Sequence, residues 1–434
     1  MHHIIIGGGP AGLIAAETIR KLAPFDNISI ISDEPEPAYS RMAIPYLLMG
    51  KVDERGTHLR KSATHVADLK VNWVQASVKS VNVASKTIAF STDKSTTIDA
   101  SFDTLLIASG SHPIAPPIPG INSEGVHTCW TLADARHIMA KAGKGTRVLQ
   151  LGAGFIGCII MEALAARGVK LSVVEMGDRM VPRMMGPAAG GMIRQWCENK
   201  GVEVFTSTKV ESIEAGKPLK VKLSNGKTVE ADLLISAAGV RPAIGFLKDS
   251  GVTCLLGVLT DAHLQTNVPG IYAAGDCAEA FDKISGKTIV SAIQPNAAEQ
   301  ARCAAINMVA YSRGEPAKTE LKGVTQINVL DTLGLISCSF GNWQGVSGGE
   351  HVEINDIPNN RHLNLQFKDD VLVGCNAVGW TQHVGVLRSL VEDQINLGSW
   401  KDKLKADPTL LVEAYLASAQ GQGQWSGAGD ERRR

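Results

Sequence analysis

Glycines at two places in the chain stand at the spacing that holds a pyrophosphate. Residues 4–12 read Ile-Ile-Ile-Gly-Gly-Gly-Pro-Ala-Gly, and residues 148–157 read Val-Leu-Gln-Leu-Gly-Ala-Gly-Phe-Ile-Gly. Each is an apolar run leading into Gly-x-Gly-x-x-Gly. The first glycine permits a tight turn, the second lets a diphosphate approach the backbone, and the third lets a helix pack on the strand. The free N–H groups at the helix start then hold the phosphate oxygens. Gly7, Gly9, Pro10, Ala11 and Gly12 form one such site, and Gly152, Gly154, Phe155, Ile156 and Gly157 the other. Two sites mean two nucleotide cofactors, and two such cofactors in one chain point to electron transfer between them.

Each fingerprint is followed by an acid at the interval where a carboxylate meets a ribose hydroxyl, about 20 residues on. After Gly12 it is Asp33, with Glu34 beside it; after Gly157 it is Glu175. Glu175 favours NAD(H), because it repels a 2′-phosphate. Arg179 and Arg183 lie further on and keep NADP(H) as the second choice. A third carboxylate, Asp276, follows Gly275 at the end of the apolar strand Ile271–Ala274, where it would meet a cofactor's edge. Soon after, Gln294-Pro-Asn-Ala297 opens a helix with proline near its first position, leaving partial positive charge at that end.

These groups need βαβ units to position them. The first fingerprint predicts a strand from His3, a helix over 10–22 and a second strand over 28–31. A strand beginning at His3 leaves no room for a signal or transit peptide, and His2 and His3 read as a plain terminus. Alternation of apolar and polar residues over 71–98 predicts a β-meander, and Thr104–Gly110 a buried strand ending in small residues. The proline-rich stretch 113–120 suits a domain boundary. From Arg147 the design repeats, closing with the buried strand Leu233–Gly239. Beyond 316 the chain turns β-rich, then helical over 384–397 and 401–417, and ends in a polar tail read as disordered. The fold class expected is α/β, with two Rossmann-like dinucleotide-binding domains and a C-terminal α+β domain. The divisions expected are 1–115, 116–250, 251–315, 316–420 and the tail 421–434.

Composition narrows the function. In 434 residues, 43 Lys plus Arg balance 43 Asp plus Glu, so no general attraction to nucleic acid or to a membrane surface is implied. No apolar run is long enough to span a bilayer. The eight cysteines are scattered without a Cys-x-x-Cys pair, which argues against a metal site or a protein-held cluster and suits a reducing cytoplasm. His351, His362 and His383 lack ligand spacing, and Trp343, Trp380 and Trp400 read as core or interface residues.

The two fingerprints, Thr-x-x-Pro-Gly-x-Tyr-Ala-x-Gly-Asp over 266–276 and Ala-Gly-Val-Arg-Pro over 238–242 resemble the FAD/NAD-linked pyridine nucleotide–disulfide oxidoreductase superfamily. The likeness covers roughly residues 3–312. It implies an FAD domain interrupted by an NAD domain, and it makes the C-terminal α+β domain an interface domain. Gly7, Gly9, Pro10, Ala11, Gly12, Asp33, Glu34 and Arg41 would then serve the ADP half of FAD, and Val78 its adenine. Ala108, Ser109 and Gly110 would line the cofactor, with Gly275 and Asp276 at the ribityl chain and Asn296 and Ala297 at the flavin's pyrimidine edge. Gly152, Gly154, Phe155, Ile156, Gly157, Glu175 and Gly239 would bind NAD(H).

The segment Tyr39-Ser-Arg-Met-Ala-Ile-Pro-Tyr46 resembles the Ser-Cys-Gly-Leu-Pro-Tyr segment of NADH oxidases, NADH peroxidases and coenzyme A disulfide reductases. Met42 stands where those enzymes carry their redox cysteine, and a thioether forms no thiolate or reversible mixed disulfide. No catalytic side chain is therefore expected beyond the FAD itself. What remains is similar to the ferredoxin, rubredoxin and putidaredoxin reductases, whose FAD is the only redox centre. It is similar too to the FAD subunit of bacterial tungsten-containing aldehyde:ferredoxin oxidoreductase complexes. The resemblance implies an external iron–sulfur protein or subunit as electron partner, in a homodimer or a hetero-oligomeric complex. Two departures stand out. Ile159 occupies the place of a usual glutamate, and the usual lysine is missing from Ile44-Pro-Tyr-Leu, with Lys51 further on; Trp130 replaces an arginine near the flavin pyrophosphate. Two other readings are an FAD/NADH-binding sensor or assembly module with slow turnover, favoured by that missing pair, and a subunit of an amine oxidase, which Glu175 argues against.

Overall fold

The computed structural model describes residues 1–92, 96–283, 285–324 and 327–421. The chain divides into two compact units. One gathers Met1–Ile114, Trp130–Ala135 and Val240–Val324; the other gathers Ala115–Cys129, Arg136–Gly239 and Thr325–Arg434.

The first unit is built on a five-stranded parallel sheet in the order Ile271–Ala273, Thr104–Ile107, His2–Ile6, Asn27–Ser32, Val71–Gln75. Ile4, Ile5, Leu105 and Leu106 are fully buried. That is why these strands read as continuous apolar runs: both faces of a parallel sheet are covered. Pro10–Leu22 and the long helix Gln294–Ser312 lie against one face through small residues, including Ala15, Ala16, Ala301, Ala304 and Ala305. The expected meander begins later than the alternation suggested. Val71–Gln75 joins the parallel sheet beside Asn27–Ser32, and the antiparallel meander runs Ser77–Asn82, Thr87–Ser91, Thr97–Ser101. A half-exposed parallel edge strand alternates just as a meander strand does, so the period alone does not separate them.

His3 is also more than a terminus. Its ring is buried in the first strand, with Nδ1 2.7 Å from Thr104 Oγ1 and Nε2 3.0 Å from Asp26 Oδ2. Burial lowers its pKa from 6.5 although Asp26 pulls the other way. The neutral ring then donates from Nε2 to Asp26 and accepts the Thr104 hydroxyl. Because the folded state takes up this proton less readily than the unfolded chain, stability is fully present above pH 6.5 and is lost as the pH falls below it. Replacing His3 by glutamine flattens this acid limb in a series of thermal melts against pH, with little change at pH 8.

The second unit repeats the parallel plan in the order Glu203–Phe205, Lys170–Val174, Arg147–Leu151, Leu233–Ser236, Val126–Thr128. Its C-terminal part is an antiparallel sheet ordered Ile327–Thr332, Leu335–Gly341, Val371–Val378, Arg361–Lys368, Glu350–Asp356. Asn376 staples the two parts together, donating from Nδ2 to Met184 O at 2.8 Å and accepting from Gly186 N at 2.9 Å. Glu162, one helical turn from Ile159, does the same, accepting from Leu333 N at 2.8 Å. The final helices are shorter than expected. Val384–Glu392 stops before Gln394, whose φ is 48°. The stretch 401–417 splits into Trp400–Ala406 and Leu411–Gly421, because Pro408 forces Asp407 into extended backbone. Trp343, Trp380 and Trp400 are half-buried and outside the core. The expected tail begins inside the last helix at Gly421, and 422–434 lie outside the described residues. Among the described residues no helix is long and apolar enough to cross a membrane.

Candidate cofactor sites

In the first fingerprint the three glycines face different neighbours. A Cβ on Gly7, where φ is +114°, would strike Ala108 O, and one on Gly12 would strike Gly7 O. These two are required by the protein's own packing. Gly9 is different: its φ of −78° and ψ of −167° suit any residue, and nothing lies within 4 Å of where a Cβ would project. The space it leaves fits a pyrophosphate. The helix Pro10–Leu22 starts without a side-chain cap, so its first N–H groups are available to that ligand. Gly8 is closed off from behind by the Trp73 ring and Ser32 Oγ. That contact is not visible in the sequence because Trp73 belongs to a strand with no sequence-local link to the loop.

The acids at the end of the second strand separate. Asp33 is exposed, whereas Glu34 pairs with Arg41 and accepts from Tyr39 Oη at 2.5 Å. Arg41 also donates to Tyr39 Oη at 2.7 Å and to Trp130 O at 2.8 Å. Its guanidinium stands over the Trp130 ring at 5.1 Å and the Tyr39 ring at 5.4 Å. Trp130 thus comes with a cation after all, borrowed from Arg41. Its Nε1 donates to Ser111 O at 2.9 Å, and Ser111 Oγ donates to Asp276 Oδ2 at 2.9 Å. Burial pushes the Asp276 carboxyl up, with the Ser111 hydroxyl and Arg41 opposing. Glu34, Arg41, Trp130, Ser111 and Asp276 therefore form one connected network. Ser111 had no signal of its own in the sequence, and nothing there linked Tyr39 or Trp130 to Arg41.

Gly275, at φ +83°, sits against Ala11 and Ala297, the first turns of the two long helices. Its N–H donates to Gln300 Oε1 at 2.7 Å, and Gln300 Nε2 is buried with no partner in the chain. An unpaired buried donor beside these helix starts fits a ligand that supplies acceptors. Asn296 Nδ2 donates to Ser291 Oγ at 2.7 Å, and Ser40 Oγ to Gln294 Oε1 at 2.6 Å. The helix Gln294–Ser312 also begins uncapped, with Pro295 at its first turn. Ala108 is buried, and Ser109 Oγ donates to Ala243 O at 2.8 Å, ahead of Gly110 with φ +70°. Val78 is half-buried in the meander opposite Phe90. Met42 is 60 % exposed.

In the second fingerprint the same logic returns. A Cβ on Gly152, at φ +98°, would come 2.5 Å from Ala237 O, and one on Gly157 would strike Gly152 O. Gly154 again faces open space in a conformation any residue adopts, before the uncapped helix Phe155–Ala166. Glu175 accepts from Ala153 N at 2.7 Å and Gly177 N at 2.8 Å, so the carboxylate stands at the loop. Arg179 is committed to Met185 O and Asp178, and Arg183 is exposed. Gly239, φ +106°, lies just past the neighbouring strand Leu233–Ser236. Ile159 is half-buried and Lys51 lies 6.0 Å from the Tyr46 ring. Seven of the thiols are unsuited to redox work: burial pushes Cys197 and Cys338 up to about 12 and Cys303 to about 11, and raises Cys158, Cys254, Cys277 and Cys375 as well.

Two glycine cradles, each with open space for a diphosphate and an uncapped helix behind it, are the geometry of an oxidoreductase that binds two dinucleotides. Residues 1–304 match the family model of the pyridine nucleotide-disulphide oxidoreductases, and the chain belongs to that family. It is an NAD(H)-linked flavin oxidoreductase with FAD and NAD(H) as cofactors. Among its relatives is the epsilon subunit of the NADH-dependent phenylglyoxylate dehydrogenase of Aromatoleum evansii, 29% identical over 417 residues, 96% of this chain and 97% of that one. The rubredoxin-NAD(+) reductase of Acinetobacter baylyi is 31% identical over 286 residues, 64% of this chain and 72% of that one. The NAD-dependent persulfide reductase of A. fulgidus shares the fold at TM-score 0.84 and 24% identity, over 98% of this chain and 84% of that one.

Proposed function

We propose that this chain moves electrons between NAD(H) and a separate iron–sulfur protein or subunit, in either direction, as the flavin component of a larger redox enzyme. The observation that carries the reading is Met42, at the place where thiol-using members of the family hold their redox cysteine. The raised thiols elsewhere add to it. Bound FAD supplies conversion between a hydride's electron pair and single electrons. The chain's own part is to hold it: Gly7–Gly12 and Arg41 toward the diphosphate, Asp33 toward the ribose, Asp276 toward the ribityl chain. Glu175, facing no free guanidinium from Arg179, supports NAD(H) over NADP(H). In this reading 1–115 with 251–315 bind FAD, 116–250 bind NAD(H), and 316–420 form the interface domain.

The relatives support the choice of partner. One is a subunit of an NADH-dependent dehydrogenase and matches along nearly its whole length; another is a rubredoxin reductase. The finer form of the proposal is the NAD-reducing subunit of an aldehyde oxidoreductase complex, in the cytoplasm. Under anaerobic conditions NADH bleaches the flavin, and turnover then requires an added one-electron acceptor. Iodoacetamide leaves the rate unchanged. Rapid NADH-dependent disulfide or persulfide reduction by the isolated chain overturns the proposal. A second reading, an FAD/NADH sensor, is favoured by Ile159 in place of the usual glutamate. It predicts bleaching followed by no onward transfer to any acceptor.

A further inference from the structure

The strands beneath the two fingerprints differ at one equivalent position. Two residues before the first glycine stands Ile5 in one and Gln150 in the other. Both are fully buried, and both lie under the third glycine. A Cβ on Gly12 would come 3.3 Å from Ile5 Cγ2, and one on Gly157 3.0 Å from Gln150 Nε2. As filler, the isoleucine suffices. The glutamine does something the isoleucine does not: Nε2 donates to Gly152 O at 2.8 Å and to Gly157 O at 2.9 Å. It ties the turn that opens the loop to the first turn of the helix that closes it. Two carbonyl partners fix which end of the amide is the donor, so Oε1 is left buried and unpaired. That unpaired acceptor offsets what the two donated bonds contribute, so net stability gives little reason for a glutamine here.

Other contacts brace the same loop. Ala153 N donates to Glu175 Oε2 at 2.7 Å, and Val181 N donates to Ala153 O at 2.8 Å. The Gly152–Gly157 loop is thus held from beneath and from the side.

We infer that Gln150 is a positioning residue for the exchangeable nucleotide: it keeps the second glycine loop in its binding shape between one NAD(H) and the next. This rests on the reading that the second fingerprint takes NAD(H). A resident FAD organises its own loop once bound. A nucleotide that leaves on every turnover meets an empty loop each time, and any disorder there is a cost repeated at each binding.

The test uses the FAD-loaded protein carrying Gln150→Ile, the residue type of the first fingerprint, and Gln150→Met, which keeps the length. NAD+ affinity is measured by calorimetry, FAD content by absorbance, and amide exchange by mass spectrometry over 150–160. Both variants should bind NAD+ roughly five- to tenfold more weakly. FAD content should stay unchanged and the melting temperature close to the parent's. Amide exchange over 152–158 should be faster without NAD+ and return to the parent rate at saturation. NAD+ affinity within twofold of the parent, or unaltered exchange in the empty loop, overturns the inference, as does a loss of NAD+ binding that appears only together with a fall in melting temperature. If the parent protein itself binds no NAD+, the assignment of the second site fails first, which is a different result.

Discussion

Gly9→Val yields a folded but colourless protein. The substitution sits in backbone that valine adopts freely and points into space the chain leaves empty, so nothing in the apoprotein resists it. Circular dichroism and the melting temperature should match those of the flavin-free parent. On the proposed assignment of that space to the FAD diphosphate, FAD should bind at least about a hundredfold more weakly, a loss of roughly 2.7 kcal/mol. Gly154→Val is the matching case for NAD(H), with FAD retained and the visible spectrum intact but no bleaching by NADH. Gly12→Val supplies the contrast. Its side chain would strike Gly7 O, with Ile5 Cγ2 3.3 Å away, so the expected product is insoluble or unfolded chain. If Gly9→Val retains stoichiometric flavin, the first cradle does not hold FAD.

Asp276→Leu gives the second large effect, and its sign differs between the loaded and empty protein. In the empty protein the carboxyl is buried and held above its usual range, with one donor, Ser111, to support its charge. The folded state therefore binds this proton more readily than the unfolded chain. Stability from this group is present at low pH and lost as the pH rises from 3.8 through the raised value. Wherever the carboxyl is ionised it is a burden on the empty fold, and leucine removes it. Melts of the flavin-free variant should be as high as those of the parent or higher, and flatter against pH above 3.8. On the proposed placement of Asp276 at the ribityl chain, FAD affinity should fall by about tenfold or more, because a hydroxyl there loses its acceptor. Unchanged flavin retention in Asp276→Leu removes this residue from the site.

What could be read from the sequence was whatever depends on neighbours along the chain. The glycine spacings, the helix over 10–22, the strand before each loop and the helix opening at Gln294-Pro295 are set within a dozen residues, and the structure has them. The acids at 33 and 175 are fixed by the length of one βα unit. What stayed hidden depends on residues far apart. Trp73 lies behind Gly8, the chain from Glu34 through Arg41, Trp130 and Ser111 reaches Asp276, and Gln300 holds Gly275 across the fold. The helix end before Gln394 was missed because a left-handed glutamine leaves no compositional mark. The break at Asp407-Pro408 did leave one, and the helical period simply ran past it.

The discontinuous first unit has a consequence for how the protein is made. Its parallel sheet is missing its Ile271–Ala273 edge, and its apolar face the helix Gln294–Ser312, until the whole Arg147–Ser236 region has left the ribosome. At synthesis rates of about 5–20 residues per second, that leaves Ile271's neighbour strand Thr104–Ile107 without its partner for roughly 10–30 s. Through that interval the nascent N-terminal segment carries an open strand edge, and early chaperone engagement would protect it.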